Sequence, residues 1–245
     1  MRPVTVNADL GESYGIHTFG NDEALVELID AANIACGYHA GDPHAMRQAV
    51  RACVRAGVKP GAHPGLPDPV GFGRRSMRVT ADEVRDLALY QVGALAAFAE
   101  AEGGRLSHIK PHGALYAMLA EDGDLMHALC DVAVHYGLPV YGLAGSRHEE
   151  VALERDVGFV SELYVDLDYR DDGSLVVGGK TRRRTPADVT RRLESAFADG
   201  TVQTVTGKYI DVRFTSICVH SDTPNAVEIA RSVVAALGAN PPDAT

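Results

Sequence analysis

Short β-type runs alternate with longer helical ones along almost the whole chain, and this alternation limits the fold more than any other feature. Strands are expected at about 4–9, 32–36, 58–62, 106–110, 138–143, 157–163 and 213–219. The clearest helix opens on Asp42 and Pro43, lines up Ala45, Met46, Ala49, Val50, Cys53 and Val54, and stops at Gly57. Another opens on Thr80-Ala81-Asp82-Glu83, which has capping-box spacing, and turns Val84, Leu87, Ala88, Leu95 and Phe98 to one side. Fainter helical patterns occupy about 22–31, 124–136, 187–198 and 224–236. Such repetition implies an α/β protein with a mostly parallel sheet covered by helices.

No Pro/Ser-rich linker or change of composition divides the 245 residues, so one domain is expected over 1–245, with a loose tail at 240–245. Twenty-three Lys+Arg against 33 Asp+Glu give a net charge of −10, which argues against nucleic-acid binding, since that needs a basic face. Cys36, Cys53, Cys130 and Cys218 lie far apart, with no Cys-x-x-Cys pair. Cys53 and Cys130 fall among apolar helical positions, where a free thiol behaves as a small hydrophobe. Met1-Arg2-Pro3-Val4-Thr5-Val6 has no apolar signal core, and nothing approaches the ~18 apolar residues of a membrane span. A soluble, cytoplasmic chain without membrane contact is expected.

Chemically capable residues follow the expected strands, usually beside glycine. The first strand ends in Asn7-Ala8-Asp9-Leu10-Gly11-Glu12, and the second runs into Asn33-Ile34-Ala35-Cys36-Gly37-Tyr38-His39-Ala40-Gly41-Asp42. Gly61-Ala62-His63-Pro64-Gly65, Lys110-Pro111-His112-Gly113 and Cys218-Val219-His220-Ser221-Asp222 close three others. In parallel α/β folds the strand C-termini share one face, and active sites sit there. Packing does not explain five strand ends that deliver His, Lys or carboxylate to one face. His39, His63 and His112 are therefore functional candidates, each with a glycine nearby that would let a ligand approach the backbone. His44, His108, His127 and His135 are read as structural. Asp42 is ambiguous, because it is also a good helix cap. Arg74 and Arg75, in Gly71-Phe72-Gly73-Arg74-Arg75, suit a carboxylate or phosphate, or else tie a long loop down. There is no P-loop and no Gly-x-Ser-x-Gly.

These blocks, with Ile109-Lys110-Pro111-His112-Gly113-Ala114-Leu115-Tyr116 and Ile217-Cys218-Val219-His220, resemble the LamB/YcsF family, the A subunits of the prokaryotic 5-oxoprolinase, over essentially the whole chain. The resemblance implies an irregular (β/α)7 TIM-like barrel of the glycoside hydrolase/deacetylase type. It also implies ATP-dependent opening of 5-oxo-L-proline to L-glutamate with partner subunits B and C; self-association is left open. ATP, with Mg2+, is then the expected co-substrate, and no tightly bound organic cofactor is expected. Three departures stand out: Leu167 replaces the usual Arg, Val176 to Lys180 replaces an Arg and a Gly-Ala pair, and Ser221 replaces a Gly.

A phosphorylated lactam needs a base for water, cations for phosphate, and an acid for the departing nitrogen. Asp9 or Glu12 are assigned to water, Lys110 and Arg74 to anionic oxygens, and His39, His63 or His112 to proton transfer. Asn7, Asp42, Arg75 and His220 are further substrate or phosphate candidates. A metal-dependent, deacetylase-like amide hydrolase is the alternative, with Asp9, His39 and His63 as ligands from successive strands, although no His-x-x-x-His pair marks the site. A non-catalytic scaffold is a second alternative. The long stretches 64–79 and 164–186 are expected to flank the mouth. The basic residues Lys180, Arg182, Arg183 and Arg184 would steer a partner or nucleotide there and become ordered on binding.

Overall fold

The computed structural model describes residues 4–177 and 184–239. The chain begins with β1 (Thr5–Leu10), α1 (Asp22–Val26), β2 (Ala31–Ala35), α2 (Pro43–Ala56), β3 (Lys59–His63) and α3 (Ala81–Ala101). There follow α4 (Gly113–Glu121), α5 (Gly123–Tyr136), β4 (Val140–Gly142), α6 (Arg147–Glu154) and β5 (Phe159–Tyr164). The last elements are α7 (Pro186–Ala198), β6 (Thr201–Gln203), β7 (Tyr209–Asp211), β8 (Ser216–Val219) and α8 (Ala226–Ala239).

Six strands pair in parallel in the order β3-β2-β1-β8-β5-β4. The strand expected at 106–110 survives only as a bridge, in which Ile109 pairs with Ala62 on one edge and Val140 on the other. Lys110 N donates to Ala62 O at 2.8 Å, and Tyr141 N donates to Ile109 O at 2.9 Å. This short stave joins the two sheet edges and closes a seven-stave parallel barrel. Its brevity follows from Pro60 opposite it and Pro111 at its end, neither of which can donate to a ladder.

The two best helical patterns form as expected. Asp42 caps α2, Pro43 opens it, and Gly57 ends it at φ 72°, with Ala45, Met46, Ala49, Val50 and Cys53 buried. Thr80 and Glu83 form the capping box of α3. Periodicity gives no sign of α4, because Ala114, Leu115, Tyr116 and Leu119 are buried on a helix that is apolar nearly all round. The β6–β7 hairpin, antiparallel from Thr201↔Asp211 to Gln203↔Tyr209, is likewise an addition to the expected elements. All four cysteines are free and buried. Among the described residues, no helix is long and apolar enough to cross a membrane.

Of the basic run, Lys180, Arg182 and Arg183 lie outside the described residues, as does the tail 240–245. Arg184 is held: its guanidinium pairs with Asp168, and its carbonyl accepts from Asn225 Nδ2 at 2.7 Å.

Candidate active site

Inside the barrel, period-two alternation puts Asn7 and Asp9 of β1 on one face, and register sets Asp9 beside Asn33 of β2. Beneath the mouth these residues form a floor. Ser107 Oγ lies 2.8 Å from His108 Nδ1, and His108 Nε2 donates to Asn33 Oδ1 at 2.7 Å. Asn33 Nδ2 donates to Asn7 Oδ1 at 2.9 Å and to Asp9 Oδ1 at 2.8 Å, and Asn7 Nδ2 donates to Ser216 Oγ at 2.8 Å. Gly61 makes room for this: a Cβ there would stand 2.2 Å from the His108 ring. Burial, with the Lys110 charge, pushes His108 down to about 3, so it stays neutral. Both His108 ring nitrogens are thus engaged below the mouth, as its structural reading expects.

Above the floor lies a charged centre. Lys110 Nζ is 3.3 Å from Asp9 Oδ1, 3.4 Å from Glu162 Oε1 and 2.8 Å from Cys218 Sγ. Burial works against the ammonium, yet Asp9 and Glu162 hold Lys110 well above its ordinary value. Burial would likewise raise Asp9, but Lys110, His63 and His220 outweigh it and keep the carboxyl well below the usual range. His220 Nδ1 pairs with Asp166 Oδ1 at 2.9 Å; against the effect of burial, Asp166 holds the imidazole well above its ordinary value, and so cationic. The Tyr116 and Tyr164 hydroxyls, 2.6 Å apart, lead to Glu162 Oε2, 2.7 Å from the Tyr164 oxygen.

A second group sits beside this centre. Ligand atoms of Glu12, His39, His63 and His112 all lie within 4.8 Å of one another. Glu12 Oε1 is 3.6 Å from His39 Nε2 and 4.0 Å from His112 Nδ1, while Oε2 accepts from Ser221 Oγ at 2.6 Å. The unusual Ser221 thus anchors a site carboxylate. His39 and His112 stack at 3.7 Å. Burial and neighbouring histidines hold both well below the ordinary imidazole value, whereas burial and the Asp9 charge push Glu12 well above its own. Phe72 carries the strain of φ 53° so that its carbonyl accepts from His112 Nε2 at 2.8 Å. Gly73 is needed beside it, because a Cβ there would stand 2.6 Å from His39 Cβ. Gly61 and Gly73 therefore make room for histidine side chains.

A cleft of about 780 Å3 opens over the centre, lined by Asp9, His63, Lys110, His112, His220 and Arg74 among others. Arg74 pairs with Asp222 at 2.8 Å and lies over the Phe72 ring. The divergent Leu167 and Val176 form part of its wall.

Three of the expected substrate or phosphate residues have other contacts. Asp42 uses Oδ1 to cap α2 through His44 N and Ala45 N, both within 2.9 Å, and Oδ2 to hold Gly15 N at 2.8 Å. Arg75 forks onto Asp68 within its own loop. Asn7 is enclosed in the floor. Of the expected metal set, Asp9 Oδ1 lies 3.5 Å from His63 Nε2 but also serves Asn33 and Lys110, and it is Glu12 that faces His39. Sequence reasoning passes over Glu162, Tyr164, Asp166 and Tyr116. A glutamate in an otherwise apolar strand is the available signal, because such a charge is rarely buried without a partner.

A parallel β/α barrel with a histidine- and carboxylate-rich mouth defines the class of this protein. The LamB/YcsF family pattern matches residues 4–243, and the chain belongs to that family. It is 43% identical over 250 residues to a Bordetella parapertussis protein named as the A subunit of 5-oxoprolinase, covering 98% of this chain and 97% of that one. It is 42% identical over 231 residues to the "lactam utilization protein lamB" of Emericella nidulans, covering 93% and 91% respectively. The crystal structure of a lactam utilization protein from Thermus thermophilus superposes with a TM-score of 0.87 at 39% identity, over 96% of each chain.

Proposed function

We propose that this chain is the A subunit of an ATP-dependent 5-oxoprolinase, opening 5-oxo-L-proline to L-glutamate together with subunits B and C. Full-length similarity to chains named as 5-oxoprolinase A subunits carries the reading, and the cleft offers matching chemistry. A five-membered lactam is a poor electrophile. Transfer of a phosphoryl group from ATP to the lactam oxygen activates the ring carbon. Water then adds, the C–N bond breaks as the nitrogen takes a proton, and a second water releases phosphate.

Anionic oxygens developing on this path suit Lys110 and His220, cations already fixed before substrate enters, with Arg74 at the rim. Asp9 fits a different role from the base expected of it. Its depressed pKa makes it a weak base, and its contacts hold Lys110 in place. Water and proton handling fall to the cluster of Glu12, His39, His63 and His112, where burial and the Asp9 charge raise Glu12 well above its ordinary value. Without a P-loop, the nucleotide site is shared with the partners.

The test is reconstitution with the two partner subunits. We expect ADP release that depends on 5-oxoproline and on all three chains. A complex inert towards 5-oxoproline, or fully active without this chain, overturns the reading. The cluster also favours a second reading, metal-dependent amide hydrolysis without ATP; chelator-sensitive turnover in the absence of nucleotide would select it.

A further inference from the structure

Two backbone carbonyls fix how the central histidines carry their protons. His63 Nδ1 lies 2.7 Å from Lys110 O, and His112 Nε2 lies 2.8 Å from Phe72 O. A carbonyl only accepts, so both of those nitrogens bear hydrogen. Each ring, when neutral, then has its lone pair on the other nitrogen. Those two atoms, His63 Nε2 and His112 Nδ1, stand 3.0 Å apart with no donor between them.

The same spot receives two further buried atoms without a hydrogen-bond partner, Glu12 Oε1 and His39 Nε2, on residues only 2% and 1% exposed. Buried polar atoms without partners are rare and costly. A single proton between His63 and His112 would satisfy that pair and leave Glu12 Oε1 and His39 Nε2 orphaned. A cation would satisfy all four.

We propose that Glu12, His39, His63 and His112 bind one divalent transition metal ion of the Zn2+ class. Metal–ligand bonds of about 2.0–2.1 Å in a tetrahedron put neighbouring ligand atoms about 3.3 Å apart. Separations of 3.0, 3.6 and 4.0 Å, with all four atoms inside 4.8 Å of one another, need only a modest contraction to reach that value. Imidazole nitrogens and a carboxylate suit Zn2+ or Co2+ better than the hard Mg2+. Ligand histidines habitually donate their other N–H to a carbonyl or carboxylate, as His63 and His112 do here. Entry is open from a second cavity, lined by Glu12, His39, Tyr14, Phe19 and Phe72. Asp9 Oδ1 is 3.5 Å from His63 Nε2, but it accepts from Asn33 Nδ2 at 2.8 Å and pairs with Lys110 at 3.3 Å, so it is left out of the set. These four residues also carry the water and proton handling proposed above, so the inference bears on that reading, but the binding measurement below is made without turnover.

The test uses the full chain, stripped with a chelator and titrated with Zn2+ and then Co2+ by calorimetry and visible absorption. One saturable equivalent is expected, with Co2+ giving the intense visible bands of a tetrahedral N/O site. His112→Ala and Glu12→Gln should each weaken binding by about a hundredfold or more, the upper end of the loss seen for lesser, outer-shell changes. The wild-type Co2+ spectrum does not depend on how the variants fold. Absence of saturable binding, an octahedral Co2+ spectrum, or undiminished affinity in folded His112→Ala overturns the proposal.

Discussion

The barrel holds two equally buried polar regions that differ in one respect. In the floor, every side-chain nitrogen and oxygen of Asn7, Asn33 and His108 has a partner among one another, Ser107, Ser216 or Asp9. In the mouth cluster, Glu12 Oε1 and both His39 nitrogens have no partner, and two imidazole lone pairs face each other. Burial and residue type do not separate the regions; the saturation of their hydrogen bonds does. A closed network specifies a fold, and an open one, in a position where desolvation is already complete, awaits something from outside.

The harshest way to break this contrast is Lys110→Met, which strikes the centre between the regions. Asp9 and Glu162 lose their buried counter-charge, which should cost about 3–5 kcal/mol in a denaturant melt. Turnover of the reconstituted complex should fall about a thousandfold, as when one preorganised donor is lost. A variant of ordinary stability and activity would show that the centre is not electrostatically organised.

Asn33→Ala tests the floor alone. It removes the donor to Asn7 and Asp9 and the acceptor of His108, so a loss of about 1–3 kcal/mol is expected for the groups left unpaired. Metal affinity should change little, which circular dichroism melts and Zn2+ titration would check together.

Acid stability sharpens the same contrast. His108 is neutral in the fold down to about pH 3, whereas the unfolded chain protonates it near its ordinary value of 6.5. Between those values the unfolded state binds more protons, so stability falls as pH drops from about 6.5 towards 3. His108→Gln, which cannot titrate, should flatten that slope in urea melts across the interval. An unchanged slope would mean that His108 is not the neutral, saturated member of the floor.

The smallest effect belongs to Asp42→Ala. Loss of the cap of α2 should cost about 1 kcal/mol. Turnover should be unchanged, because both carboxylate oxygens face backbone N–H groups rather than the cleft.

These contrasts also mark how much is legible in the sequence. Strand ends carry Asp9, Glu12, His39, His63, Lys110 and His112 to one face because parallel order forces their C-termini together. That logic needs no side-chain geometry. It does not separate Asp9 from Glu12, since the choice rests on which carboxylate Lys110 reaches across the barrel. Nor does it part Arg74 from Arg75, neighbours that one loop sends to Asp222 and to Asp68. His108 reads correctly as structural, but Asn7 in the same network reads as a site residue, because period two puts floor and mouth on one strand face. Glu162 is legible as a charge in an apolar strand; Tyr116 is not, because α4 has no periodicity to orient it.

The most direct measurement of the central claim is ADP release driven by 5-oxoproline in the reconstituted complex, compared between His63→Gln and His108→Gln per folded molecule. The two histidines are similarly buried, one in the open cluster and one in the closed floor. We expect at least about a hundredfold loss for His63→Gln, the usual scale for removing a group that handles protons or water, and less than about threefold for His108→Gln, whose contribution is to stability. Equal losses, or a larger loss at His108, would contradict the account.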